Sequence, residues 1–99
     1  MAKDFNEIVT DFNNFLSKCG GRYRDYYVGI TNDAKRRLFN EHNVDNENGL
    51  WIYREGKTDV IAREVEEYFL EKGCKGGPGG GDYESNIVYC YKITSKTIE

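Results

Sequence analysis

Residues 26–38 constrain the fold of this chain more than any other stretch. They open with aromatic and β-branched side chains that suit a half-buried strand. The run breaks at Thr31-Asn32-Asp33, whose short side chains can accept hydrogen bonds from the free amides at a helix start. Lys35, Arg36 and Arg37 follow as a compact basic cluster. We therefore predict a strand that leads directly into a short basic helix, with Gly29 allowing a close approach because it has no Cβ.

The rest of the chain predicts a regular alternation of helices and strands. A capping-box pattern at Asp4 and Glu7, followed by apolar residues at helical spacing, predicts a helix over residues 3–18. Thr58 or Asp59 caps a later helix that ends at Lys72. The strands fall at residues 22–30, 50–54 and 86–93, and the short basic helix at residues 33–41. The fold class is then α/β (α+β), a three-stranded sheet flanked by three helices in the order α-β-α-β-α-β.

Composition favours one ordinary globular domain over residues 1–99. Charged residues make up 31% and aromatic residues 14% of the chain, and no apolar run approaches the length of a membrane span. We expect a cytoplasmic protein without membrane contact. Its net charge of −3 argues against nucleic-acid binding by bulk electrostatics, although the basic cluster is a local exception. Cysteines 19, 74 and 90 form no C-x-x-C pair, so buried free thiols are expected.

Two segments together resemble the signature of the GIY-YIG nucleases. The first is Tyr27-Val28-Gly29 with Thr31 and Arg37, and the second is Ala62-Arg63-Glu64-Val65-Glu66. The resemblance implies that Glu66 holds one Mg²⁺ or Mn²⁺ ion and that the Arg37 guanidinium braces the phosphate oxygens. It further implies that Tyr27 orients water or phosphate, and that a second tyrosine completes the site.

The chain departs from this family at its first motif. The Gly-Ile-Tyr strand normally precedes Tyr-Ile-Gly, but Gly21-Arg22-Tyr23 stands too close to Tyr27 for a separate paired strand. Ile87-Val88-Tyr89 resembles the missing motif, as expected if the family's elements were circularly permuted. We therefore predict that residues 87–93 pair alongside residues 26–30 and point Tyr89 toward Tyr27, Arg37 and Glu66. Tyr91 shares that face and is the alternative.

Each candidate residue also has an ordinary structural interpretation. Arg36 and Arg37 on a short helix are compatible with a solvated surface. Glu64 and Glu66 flank the apolar face of their helix almost symmetrically, so periodicity does not choose between them and only the resemblance selects Glu66. His42 follows Arg37 by five residues, whereas family members place a histidine or tyrosine four residues after the arginine. It is a candidate catalytic residue or a surface histidine.

These residues predict a metal-dependent DNA endonuclease. Lys35, Arg36 and Thr31 are the expected nucleic-acid contacts. A partner protein or a structure-selective substrate would supply specificity, because the chain leaves no room for a further domain. The alternatives are a catalytically inactive relative that binds nucleic acid or protein, and a small interaction domain built on Trp51 and the tyrosines. The glycine-rich residues 76–82 predict a mobile loop that closes over substrate, with Asp82 as a secondary metal ligand.

Overall fold

The structure is a computed structural model that describes residues 2–76 and 85–99. The predicted lid over residues 76–82 therefore lies outside the described residues, apart from Gly76 at its start. The elements are helix α1 (Phe5–Cys19), a 3₁₀ turn (Tyr23–Asp25), strand β1 (Tyr26–Thr31), a π-helix (Arg36–Glu41), strand β2 (Trp51–Glu55), helix α2 (Asp59–Lys72) and strand β3 (Ile87–Lys92). The predicted three-stranded sheet with three helices is confirmed at this level.

The two long helices begin and end at the residues that local chemistry favours. Asp4 and Glu7 form the capping box of α1, because each side chain accepts a hydrogen bond from the backbone amide of the other. Thr58 caps α2 by accepting from the amide of Ile61, and Gly73 ends that helix at a φ of 118°. Both helices lie close to their predicted bounds since these signals are local.

The first strand is shorter than the sequence predicts. It begins at Tyr26 rather than at Arg22, because the 3₁₀ turn before it is closed by a hydrogen bond from the Arg22 amide to the Asp25 carboxylate at 2.8 Å. The short basic helix differs from its prediction in type, since Ala34 and Lys35 are α-helical and Arg36–Glu41 form a π-helix. Neither difference changes the order of elements.

The sheet is antiparallel throughout, with β3 in the centre between β1 and β2. Tyr27 pairs with Tyr91, and Gly29 pairs with Tyr89, so the predicted pairing of the C-terminal strand with the first strand is confirmed. Lys75 forms a single parallel bridge to Tyr27 at the outer edge of β1. Its amide donates to the Tyr26 carbonyl at 2.8 Å, which partly covers an otherwise open strand edge.

The two faces of the sheet bury different cores. On one face, α1 and α2 pack against Val28, Ile30, Val88 and Cys90. The opposite face carries the second core, formed by Leu38, Val44, Tyr89 and Tyr91 with Tyr27, Trp51 and Tyr53 packed around it. Alternation along the strands produces this division, because neighbouring side chains point to opposite faces. The second face carries Tyr27, Tyr89 and Tyr91, and we call it the tyrosine face.

The cysteines are free thiols, and Cys74 and Cys90 are buried. Burial raises the pKa of the Cys74 thiol to about 11. These observations confirm the expectation of buried free thiols for Cys74 and Cys90, while Cys19 is only partly buried. Within the described ranges no helix is both long and apolar enough to cross a membrane.

Candidate active site

Strand pairing places three tyrosines together on the tyrosine face. The ring centroids of Tyr27 and Tyr91, which are cross-strand partners, lie 5.3 Å apart with nearly parallel planes. Tyr89 lies one pleat further along β3, with its ring centroid 6.4 Å from that of Tyr27. Tyr89 and Tyr91 are fully buried, whereas Tyr27 is half-buried. The predicted approach of Tyr89 to Tyr27 is thus present in the fold.

Gly29 makes the position of Tyr89 possible. A Cβ at Gly29 would lie 2.5 Å from the Tyr89 hydroxyl oxygen and 2.6 Å from the ring carbon that carries it. Such separations are far inside van der Waals contact, so any larger residue would displace the tyrosine ring. The Tyr89 hydroxyl therefore lies directly over the backbone of β1 at Gly29.

The π-helix aligns Arg37 with His42. A π-helix joins backbone groups five residues apart, and here the His42 amide donates to the Arg37 carbonyl at 2.8 Å. In an α-helix, residues four apart would share this relationship. The wider turn thus accommodates the extra residue between the arginine and the histidine, and both side chains reach the same tyrosine. The five-residue spacing from Arg37 to His42, one residue longer than in the GIY-YIG pattern, thus matches the wider turn of the π-helix.

Tyr89 connects the arginine and the histidine through its hydroxyl. The Arg37 guanidinium donates from Nη2 to the Tyr89 hydroxyl at 3.3 Å, and His42 Nε2 lies 2.7 Å from the same oxygen. His42 Nδ1 lies 2.7 Å from the carbonyl oxygen of Ile98. A carbonyl only accepts, so Nδ1 carries the proton, and Nε2 of the neutral ring accepts from Tyr89. The result is a directed chain of hydrogen bonds from Arg37 through Tyr89 and His42 to Ile98.

Burial sets the protonation states in this chain. Desolvation lowers the pKa of His42 below its usual value, and the Arg37 charge lowers it further, against the opposing effect of the Ile98 hydrogen bond and of Glu41. Desolvation also raises the pKa of Tyr89 well above its usual range, and this effect outweighs the nearby Arg37 cation. Tyr89 therefore keeps its proton at neutral pH, and neutral His42 is the group able to accept one.

Glu66 lies on the helix that packs against the other face of the sheet. It is only 5% exposed, and its Oε2 atom has no hydrogen-bond partner among the described residues. Burial raises the pKa of this carboxyl above its usual value. The prediction that Tyr89 points toward Glu66 is wrong, because Tyr89 lies on the tyrosine face and α2 packs on the opposite face of the sheet. Glu64, the alternative on the same helix, is exposed.

The donor set around Glu66 allows at most a sparsely ligated metal. No group of three His, Cys, Asp or Glu side chains able to hold a metal ion occurs in residues 2–76 and 85–99. A buried carboxylate oxygen without a partner does fit a hard cation, which would compensate the desolvated charge. Mg²⁺ commonly takes one or two carboxylates and completes its shell with water and substrate phosphate. Glu66 fits a site with one protein carboxylate, and the described residues do not provide a site with three protein ligands.

The expected nucleic-acid contacts occupy different environments. Thr31 is buried, and its hydroxyl accepts from the Asp33 amide at 3.0 Å, so this side chain stabilises the turn after β1. Lys35 and Arg36 are exposed. Arg36 forms an ion pair with Glu41 at 3.2 Å, with both side chains about half exposed. Exposed pairs of this kind contribute little stability, so Arg36 can exchange Glu41 for another anion at low cost.

No sequence pattern indicated that the Ile98 carbonyl would contact His42. Chain ends usually fray, yet here the Ile98 amide donates to the His42 carbonyl at 2.7 Å. Asn43 Nδ2 also donates to the Lys96 carbonyl at 2.9 Å. Backbone groups are the same at every position, so no side-chain pattern could have identified this partner.

Comparison with protein-family models, with curated proteins and with solved structures finds no match to this chain. The function must therefore be argued from the site itself.

Proposed function

We propose that this chain is a metal-dependent DNA endonuclease related to the GIY-YIG nucleases, with its elements circularly permuted. The observation that carries the proposal is the convergence of Tyr27, Arg37, His42 and Tyr89 on one face of the sheet. These residue types, which the resemblance requires, come from β1, the π-helix and its end, and β3. An arbitrary packed core has no need for a guanidinium, an imidazole and a phenol joined through one hydroxyl.

The arrangement supports a defined proton path for phosphodiester hydrolysis. Arg37 binds the phosphate oxygens through its guanidinium and stabilises the charge that develops there. The attacking water transfers a proton to Tyr89 as Tyr89 passes its own proton to His42 Nε2. Water oxygen then bonds to phosphorus, the bond to the leaving oxygen breaks, and that oxygen takes a proton from solvent. The resemblance assigns a divalent cation to Glu66, but α2 packs on the face opposite to Arg37 and Tyr89, so no step of this path runs through that cation.

Tyr27 and the basic cluster complete the proposed substrate contacts. The half-buried Tyr27 ring lies beside His42, with centroids 4.7 Å apart, so its hydroxyl is the tyrosine group best suited to orient water at the mouth of the site. Lys35 and Arg36, exposed on or next to the π-helix, would bind neighbouring phosphates of the DNA backbone. A partner protein would supply the choice of sequence.

A specific observation favours the second candidate, a catalytically inactive domain that binds nucleic acid or a protein. Tyr89 and Tyr91 are fully buried, and α2 with Glu66 packs on the opposite face. In that case the hydrogen-bonded chain would serve to fix the fold, and the exposed basic residues would bind the partner.

A cleavage assay with matched variants distinguishes these candidates. Single-stranded, duplex and branched DNA are incubated with Mg²⁺, with Mn²⁺ or with a chelator, beside Arg37→Ala, Glu66→Gln and the control Glu64→Gln. We expect metal-dependent cleavage that falls about 10²-fold or more in Arg37→Ala and Glu66→Gln and is retained in the control. Cleavage that persists in chelator and in Glu66→Gln would exclude the metal role of Glu66. Binding without any cleavage would select the inactive domain.

A further inference from the structure

Residues 94–98 fold back over His42 and are fastened there by backbone hydrogen bonds. The Ile98 amide donates to the His42 carbonyl at 2.7 Å, and the Ile98 carbonyl accepts from His42 Nδ1 at 2.7 Å. A turn closed by Thr94 and Thr97 precedes this contact, with the Thr94 amide donating to the Thr97 hydroxyl at 3.0 Å. Ile98 therefore contacts both the backbone and the side chain of one residue.

The side chain of Ile98 takes little part in this contact. It is 59% exposed. What the segment presents to His42 is a fixed carbonyl oxygen, and a carbonyl can only accept a hydrogen bond. The contact thus acts on the position of a proton and adds little apolar packing.

We propose that residues 94–98 form a positioning element that holds His42 in its Nδ1–H tautomer and so leaves Nε2 free to accept the Tyr89 proton. The ring nitrogen that carries the proton in a neutral histidine is set by the partner of the other nitrogen. With the proton on Nε2, the lone pair of Nδ1 would face the Ile98 carbonyl oxygen at 2.7 Å, and two acceptors would repel each other. The Ile98 carbonyl excludes that state.

Tyr91 reinforces the same tautomer. Its hydroxyl lies 3.4 Å from the Ile98 carbonyl and 3.1 Å from His42 Nδ1. When the hydroxyl donates to Ile98, its oxygen can only accept from Nδ1, which again requires a proton on Nδ1. The proposed role of Ile98 in proton transfer rests on the proposed nuclease function, whereas the tautomer itself follows from the hydrogen bonds alone.

The tautomer can be read directly because His42 is the single histidine of the chain. In a long-range ¹H–¹⁵N correlation spectrum of the intact protein, we expect a protonated Nδ1 and an unprotonated Nε2. A chain that ends at Lys96 should lose this pattern and give a mixed or Nε2–H ring. Ile98→Ala, which keeps the backbone carbonyl, should retain it. An Nε2–H ring in the intact protein would overturn the proposal, and this measurement needs no variant to fold.

Cleavage assays on the intact protein and on the chain ending at Lys96 test the positioning role independently of the nuclease function. If the intact protein cleaves DNA, the chain ending at Lys96 should lose about 10²-fold in kcat with little change in KM, since misplacement of a catalytic group by a distant change has effects of that size. Unaltered kcat in a folded chain lacking residues 97–99 would refute the positioning role. Absence of cleavage in every chain would refute the nuclease function and leave the tautomer result standing.

Discussion

The Tyr89 hydroxyl lies 2.7 Å from Nε2 of His42, although 47 residues separate the two in the chain. Tyr89 reaches this position from the central strand, and His42 reaches it from the end of the π-helix. Burial keeps the phenol of Tyr89 protonated and the imidazole of His42 neutral. The Tyr89 hydroxyl therefore donates this hydrogen bond, and His42 Nε2 accepts it.

Removing the Tyr89 hydroxyl should affect both the stability of the fold and the activity of the site, and the two effects can be measured separately. Tyr89→Phe leaves Arg37 and His42 without their shared partner, so we expect a loss of about 1–3 kcal/mol in unfolding free energy. If the nuclease proposal is correct, kcat should fall by about 10²–10⁴-fold. Chemical denaturation and DNA cleavage measure the two effects.

Tyr26→Phe is the matched control for that substitution. Tyr26 is equally buried but lies on the other face, where its hydroxyl donates to the Gly20 carbonyl. It should lose comparable stability and keep its activity. Equal loss of activity in both variants would mean that stability alone determines the measured rate.

Adding one carbon at Gly29 should displace Tyr89. The Cβ of Gly29→Ala would lie within 2.6 Å of two Tyr89 atoms, and the buried ring has little room to move. We expect about 1–3 kcal/mol of destabilisation and a changed environment at His42, measured by denaturation and by the His42 NMR signals. In contrast, a Cβ at Gly20 meets no atom within 4 Å, so Gly20→Ala should cost about 1–3 kcal/mol for its backbone conformation alone (φ 77°, ψ 178°) and should not affect His42. Unchanged His42 signals in Gly29→Ala would contradict the close approach.

The buried carboxyl of Glu66 should make stability depend on pH. Its pKa is raised in the folded protein, so the folded state holds this proton more tightly than the unfolded chain does. Stability should therefore fall as the pH rises from the ordinary glutamate value of 4.5 through the raised pKa.

Glu66→Gln removes this titration. In chelator at pH 7, the unfolding free energy of the variant should exceed that of the wild type, and the difference should disappear below pH 4.5. Thermal unfolding at a series of pH values measures the effect, and the exposed Glu64→Gln should show none of it. A constant difference at all pH values would show that Glu66 does not titrate abnormally.

Salt dependence should identify the phosphate contacts of the basic cluster. If Arg36 binds a duplex phosphate, Arg36→Ala should reduce the slope of log affinity against log salt by about one unit. Fluorescence anisotropy with labelled duplex DNA measures this slope. Arg54→Ala provides the control, because Arg54 donates to Asp11 of α1 at 2.9 Å. Equal slopes for Arg36→Ala and wild type would remove Arg36 from the interface.

Features that depend on neighbouring residues were predictable from the sequence. The caps of α1 and α2 lie at Asp4 and Thr58 as expected, since each involves residues three positions apart. The pairing of β3 with β1 was also predicted, because Ile87-Val88-Tyr89 resembled a motif that lacked its usual place. Alternation then put Tyr89 on the same face as Tyr27 without further information.

Other features were decided only by tertiary structure. Helical periodicity treated Glu64 and Glu66 as equivalent, and packing of α2 buried Glu66 while exposing Glu64. The same packing put α2 on the face opposite to the tyrosines. The π-helix was not predicted either. Its hydrogen bond from the His42 amide to the Arg37 carbonyl spans five residues instead of four, and no local side-chain signal indicated this spacing.

The sequence by itself determined which residues carry the polar chemistry, the ends of the long helices and the alternation that groups the tyrosines. Tertiary structure alone decided that His42 reaches Tyr89 and that the Ile98 carbonyl selects the protonated ring nitrogen. The physical reason is that local signals come from side chains that differ along the chain, whereas a backbone carbonyl is chemically the same at every residue. Its partner is fixed only when the folded chain brings the two groups within hydrogen-bonding distance.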